Sequence, residues 1–151
     1  LLLEEELEVS FVYHHGNERD VRRILQHPLH MIGSDGIQSG QRPHPRLFGT
    51  FPRFVGHFVR DHGLLPLETA IKKITALPAE RLGLRDRGQI KEGYAADVAV
   101  FDHRSFSDHS TYEDPCQLAE GIELLLVNGQ IVRDARGLQR NLAGQLVSRG
   151  Y

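Results

Sequence analysis

The residues best suited to chemistry sit in three short stretches. In Met31-Ile32-Gly33-Ser34-Asp35-Gly36 an acid is held between two glycines at the end of an apolar run. Apolar runs bounded by turn signals read as buried strands, and glycine lets the backbone bend or be approached closely where such a strand ends. Asp35 is therefore expected at a strand exit with its carboxylate facing a cavity, the place where barrels of parallel strands do their chemistry. The competing reading is an aspartate that caps the next turn through its own backbone. His14-His15 invites a metal reading, against that of polar rim residues orienting a loop or substrate. The third stretch runs from Ile37 to Thr50 and includes Arg42, His44 and Arg46. Either arginine can clamp a carboxylate with two parallel hydrogen bonds, and either can equally be a solvated loop residue.

The elements that must position these groups follow from pattern and punctuation. Leu1 to Leu7 reads as the tail of an amphipathic helix, and Val9 to Tyr13 as a strand of β-branched and aromatic residues. Asn17 is an N-cap for a helix with Glu18 and Asp20 in its first turn and Val21, Ile24 and Leu25 on one face, stopped by Pro28. His30 to Ser34 is the next strand. Strand, helix, strand with short connections is the unit of a parallel sheet, so His14, His15 and Asp35 share one rim. Residues 37–50 form a long connection of the kind used as a lid or binding loop. A helix from about Phe51 has Pro52 in its first turn and an apolar stripe of Phe51, Phe54, Val55 and Phe58, with His57 and His62 on its solvated side. Leu67 to Ile74, opened by Pro66, and Ala79 to Leu82, opened by Pro78 and stopped by Gly83, are further helices. From Arg85 the texture changes to turns and short strands. Ala96–Phe101 and Ile122–Val127 read as strands, Asn128-Gly129 as a type I′ turn, and Gln130–Arg133 as the return strand. The tail from Gly137 reads as a weak strand or a frayed end.

Bulk properties narrow the class. The 151 residues suffice for about one domain with its own core, and 40% apolar and 25% charged content is ordinary for a globular protein. A net charge of −2 with both signs interspersed leaves no footprint for nucleic acid. No apolar run approaches the roughly 20 residues that span a bilayer, so no membrane partner is expected. Cys116 is the only cysteine, which excludes an intrachain disulfide and points to a reducing, cytoplasmic setting. The opening Leu1-Leu2-Leu3, inside a helical pattern and without a methionine, suggests that an amino-terminal part of a longer protein is missing.

Three stretches together resemble one superfamily. Met31–Gly36 looks like the last barrel strand of the metal-dependent amidohydrolases, Gly88–Asp102 like the return into their small β domain, and Val127–Val132 like the hairpin that follows. Gly33-Ser34-Asp35-Gly36, His44-Pro45-Arg46 and Gly49-Thr50-Phe51-Pro52-Arg53 are similar to the N-acyl-D-amino-acid deacylase, or D-aminoacylase, branch. The resemblance implies an α/β fold: the last strands and helices of a (β/α)8 barrel over residues 1–84, then part of a small antiparallel β-sandwich over 85–151. It implies one or two zinc ions that activate a water, with Asp35 as metal ligand and as the general base and acid on that water. A small-molecule N-acyl amino acid would be cleaved to a D-amino acid and a carboxylic acid. Arg46, on a loop leaving the rim, is expected to hold the substrate carboxylate, with His44 and Ser34 as further contacts.

The chain also departs from that pattern. The family's His-x-His, its cysteine ligand and its middle-strand histidines have no counterpart, and Cys116 falls in the β region. A tight zinc site needs at least three protein ligands, so these residues alone are expected to bind zinc weakly and not to hydrolyse substrate. Two barrel strands without the missing remainder of the barrel leave an open parallel edge and an uncovered apolar face, which the chain alone is expected to cover by self-association with another copy or by rearrangement. A dihydropyrimidinase-like cyclic amidase and a noncatalytic binding or assembly module that retains the fold are the alternatives.

Overall fold

The computed structural model describes residues 3–4, 13, 15–38, 40 and 42–148. Tyr13 apart, the first expected strand lies outside these residues, as do His14 and nearly all of the amino-terminal helix. Helix α1 (Glu18–Gln26) forms as its caps dictate. The Asn17 side chain accepts a hydrogen bond from the Asp20 amide at 3.0 Å, and Arg22 donates to Glu18 one turn away. Leu25 is its buried anchor.

Residues 30–38 follow without regular structure, where the sequence suggests a strand. A strand is defined by its ladder, and the neighbour expected for this one lies among the residues not described. The segment is held instead from α3 (Leu67–Ile74). Lys73, only 2% exposed, donates through Nζ to the carbonyls of His27 and His30, and its own carbonyl accepts from the Ile32 amide at 3.4 Å. A buried ammonium is tolerable only when such acceptors replace its water. Its burial pushes the Lys73 pKa down.

Helix α2 (Arg46–Arg53) begins five residues before the Phe51 start that the sequence suggests, directly after Pro45. Pro52 is therefore inside the helix, not in its first turn. Proline has no amide to donate and crowds the carbonyl four residues back. The helix nevertheless runs through it, the Phe54 amide still donating to the Thr50 carbonyl, and Phe54–Asp61 continues as a π-helix in which the His62 amide reaches the His57 carbonyl at 3.2 Å. Of the expected apolar stripe, Phe54 and Val55 are buried, Phe58 packs against the core and Phe51 faces out. α3 opens at Pro66 as expected, while α4 (Ala76–Leu82) starts before Pro78 and stops at Gly83, whose φ of 74° is the left-handed cap that glycine supplies.

Four antiparallel strands follow: β1 (Val98–Phe101), β2 (Ile122–Val127), β3 (Gln130–Asp134) and β4 (Gly137–Leu138), in that spatial order. The β2–β3 turn has positive φ at both Asn128 and Gly129, as a type I′ turn requires. The sheet joins the helices through Phe106, from the β1–β2 connection, which is buried with Leu25, Phe54, Val55, Val59 and Ala70. Gly56 makes the close approach, for a Cβ there would lie 2.5 Å from the Phe106 carbonyl oxygen. That carbonyl accepts from Arg60 at 2.7 Å.

Candidate active site

Asp35 follows the segment strapped to Lys73. Its φ of 47° is left-handed, a conformation that aspartate tolerates better than most residues with a Cβ. The turn is shaped by Ser34, whose Oγ accepts from the Gly36 amide at 3.2 Å. Gly36 is needed there because a Cβ would meet Leu47 at 2.8 Å. The Asp35 side chain emerges 77% exposed and takes Arg46, not the backbone of the next turn, as its partner. Arg46 Nη2 lies 2.8 Å from Asp35 Oδ2, and Arg46 Nε donates to the Asp35 carbonyl at 2.8 Å.

His44 belongs to the same cluster. Its Nδ1 accepts from the Arg46 amide at 3.1 Å, and its Nε2 is 3.3 Å from the Tyr112 hydroxyl. Both His44 and Arg46 line a cavity of about 300 Å³ together with Arg53, Asp108 and Tyr112. Arg53 faces Asp108 at 3.8 Å across its floor. The structure thus brings together Ser34, Asp35, His44 and Arg46. Ser34 and Asp35 are not among the residues that line the cavity, so the Asp35 carboxylate faces solvent and Arg46 where the sequence suggests a cavity; Arg53, Asp108 and Tyr112, which do line it, were not candidates from sequence. Asp108 and Tyr112 come from a polar loop more than fifty residues away, which no local spacing announces. Arg42 is exposed, and His15 stacks on Tyr13 with ring centroids 4.9 Å apart.

The donor set around Asp35 suits one ligand of a metal ion and no more. Its described neighbour is a guanidinium, and Asp35 does not enter the one group of three metal-competent side chains among the described residues, Glu18, His57 and His62. A zinc site at Asp35 does not form from these residues alone.

The Asp35 carboxylate thus stands on a left-handed turn, paired to an arginine that lines the cavity between α2 and the loop of Asp108 and Tyr112. The chain belongs to the amidohydrolase family, whose model matches residues 8–133. Its curated relatives include the D-aminoacylase of Alcaligenes xylosoxydans xylosoxydans, 48% identical over 138 residues, covering 91% of this chain and 28% of that protein. The N-acyl-D-glutamate deacylase of the same organism is 48% identical over 118 residues, 78% of this chain and 24% of that protein. Among solved structures, a D-aminoacylase said to define a novel subset of amidohydrolases superposes with a TM-score of 0.85 at 48% identity, over 88% of this chain and 28% of that one. The N-acyl-D-glutamate deacylase of Bordetella bronchiseptica, solved with zinc and a phosphonate mimic of the tetrahedral intermediate, gives 0.76 at 42% identity, over 82% of this chain and 26% of that one. The chain spans about a quarter of the length of these relatives.

Proposed function

We propose that this chain is the portion of an N-acyl-D-amino-acid deacylase that carries its proton-transfer carboxylate and its grip on the substrate carboxylate. The observation that carries the reading is the pairing of Asp35 with Arg46, an arginine that lines a cavity, in a chain 48% identical to a D-aminoacylase. Asp35 Oδ takes a proton from the water that attacks the amide carbon. It returns that proton to the amine nitrogen as the carbon–nitrogen bond breaks, leaving a carboxylic acid and a free amino acid. Exposure keeps the carboxylate accessible to both groups.

Arg46 spends Nε and one terminal nitrogen on Asp35, so its other terminal nitrogen is available to a substrate carboxylate. His44 fixes the Arg46 backbone, and Ser34 fixes the turn that aims Asp35. Zinc, present with the Bordetella relative, is the cofactor of this reading, and its ligands other than Asp35 would come from outside the described residues. In the same reading residues 1–84 belong to the barrel, 85–151 to the small β domain, and the enzyme works in the cytoplasm.

The test uses the whole enzyme that carries this chain. Asp35→Asn keeps shape and left-handed tolerance but cannot take the proton, and hydrolysis of N-acyl-D-amino acids is expected to fall by about 10²–10⁴-fold. Arg46→Ala is expected to lower kcat/KM for acyl-amino acids far more than for neutral amides of the same acyl group. Full activity in Asp35→Asn, or equal losses on both substrate types in Arg46→Ala, would remove the respective role. Preference for cyclic over linear amides would move the enzyme to the cyclic amidases.

A further inference from the structure

We infer that Glu18, His57 and His62 form a divalent transition-metal site on the outer face of the helices, separate from the Asp35 cluster and independent of the deacylase reading. The three side chains each present one ligand atom, and these atoms lie within 4.8 Å of one another. Two imidazoles and a carboxylate suit zinc, copper or nickel and are the minimum protein set for a zinc site, with a remaining position for water.

The backbone explains why the site exists. Residues five apart on an α-helix point about 140° away from each other, so His57 and His62 would diverge on a regular helix. The π-helix between Phe54 and Asp61 narrows that divergence, as the bond from the His62 amide to the His57 carbonyl records. The two rings consequently meet edge to face with centroids 4.4 Å apart. Glu18 arrives from the first turn of α1, a different element. Both Arg22 nitrogens that bond it donate to Oε1, which leaves Oε2 for a metal. Ligand atoms on one zinc ion sit about 3.4 Å apart, given bonds of roughly 2.0–2.1 Å. Closing from 4.8 Å asks for rotamer adjustments of a little over an ångström, within reach of the exposed Glu18 and His62. Wide helical turns are frequent at functional sites, and here the widening creates the site.

A bound ion would tie α1 to the π-helix at a point where Glu18 and the histidines now only face each other. The test titrates the full chain with zinc by calorimetry and repeats it with cobalt, whose visible absorption reports coordination number. One ion per chain with micromolar affinity is expected, together with a rise in Tm on adding zinc. His62→Ala and His57→Ala should each weaken binding more than tenfold and abolish the Tm rise, Glu18→Gln should weaken it severalfold, and Asp35→Ala should leave it unchanged. His62 is exposed, so His62→Gln serves as a variant that keeps the fold if His57→Ala does not. No binding by the parent chain, or binding unaffected by His62→Gln, overturns the site. Binding lost in Asp35→Ala places the ion at the catalytic rim and overturns it as well.

Discussion

The Asp35 turn shows how one residue can be strained and useful together. A left-handed φ at a non-glycine residue costs on the order of 1 kcal/mol, and it is held by the Ser34 hydroxyl on one side and the Arg46 fork on the other. The ion pair itself contributes little to stability, because exposed pairs contribute about 0–1 kcal/mol. Its value is orientation. Five residues earlier, His30 carries a different constraint. Its Nδ1 is buried without a hydrogen-bond partner among the described residues, and burial first, then the Lys73 and His27 charges, hold its pKa below the ordinary 6.5. The folded chain therefore binds this proton less readily than the unfolded chain does. Stability from this residue is complete above about pH 6.5 and is lost as pH falls through the lowered folded-state pKa. Urea titrations between pH 7.5 and 5 should show falling stability, with a shallower fall in His30→Gln. Parallel slopes in the two proteins would exclude His30 as the origin.

At the scale of elements, Gly56 and Pro52 set the course of the long helix. Pro52 removes one amide from the α-helical ladder, and Gly56 lets the widened helix lie against the Phe106 carbonyl. Gly56→Ala places a methyl group 2.5 Å from that backbone oxygen, so it should destabilise the fold by about 1–3 kcal/mol, the usual range for overpacking. Chemical denaturation measures this, and an unchanged midpoint would mean that sheet and helix are not seated there. These two residues also mark where the sequence stops being legible. Asn17, Pro66, Gly83 and Asn128-Gly129 signal their caps and turn locally, and the structure has them where the sequence suggests. The early start at Arg46 hides because Pro45 and Pro52 both resemble helix openers. The hydrogen-bond register of a π-helix leaves no mark in apolar periodicity, so His57 and His62 read as two unrelated surface histidines. Asp35, His44 and Arg46 could be named because each sits in a short motif, whereas Asp108 and Tyr112 reach the cavity only through the docking of the sheet on the helices. The strand before Asp35 needs a ladder partner that the described residues do not supply.

For the whole molecule, surface area is the decisive quantity. A compact monomer of this mass exposes about 7,800 Å², whereas this chain exposes 11494 Å². Several large apolar side chains contribute to the excess, with Ile90 94% and Leu142 and Leu146 fully exposed. Monomeric proteins seldom leave that much apolar surface in water, and an extended match to relatives roughly four times as long supplies a reason. The remainder of a longer protein is expected to cover such a surface. Held without such a cover, the 151 residues are expected to bury it against copies of themselves, since hydrophobic association gains about 25 cal/mol per Å² of apolar area before its entropic costs. Light scattering over a hundredfold range of concentration should therefore give a mass that rises above 17.1 kDa. Replacing Leu142 and Leu146 by serine should delay that rise if the tail takes part. Because the pair lies far in sequence from Asp35 and Arg46, the same substitutions should leave the Asp35 turn intact. A mass fixed at the monomer value throughout would mean that the chain covers its apolar face by rearranging, and the seat of the sheet against Phe106 would be the first contact to re-measure.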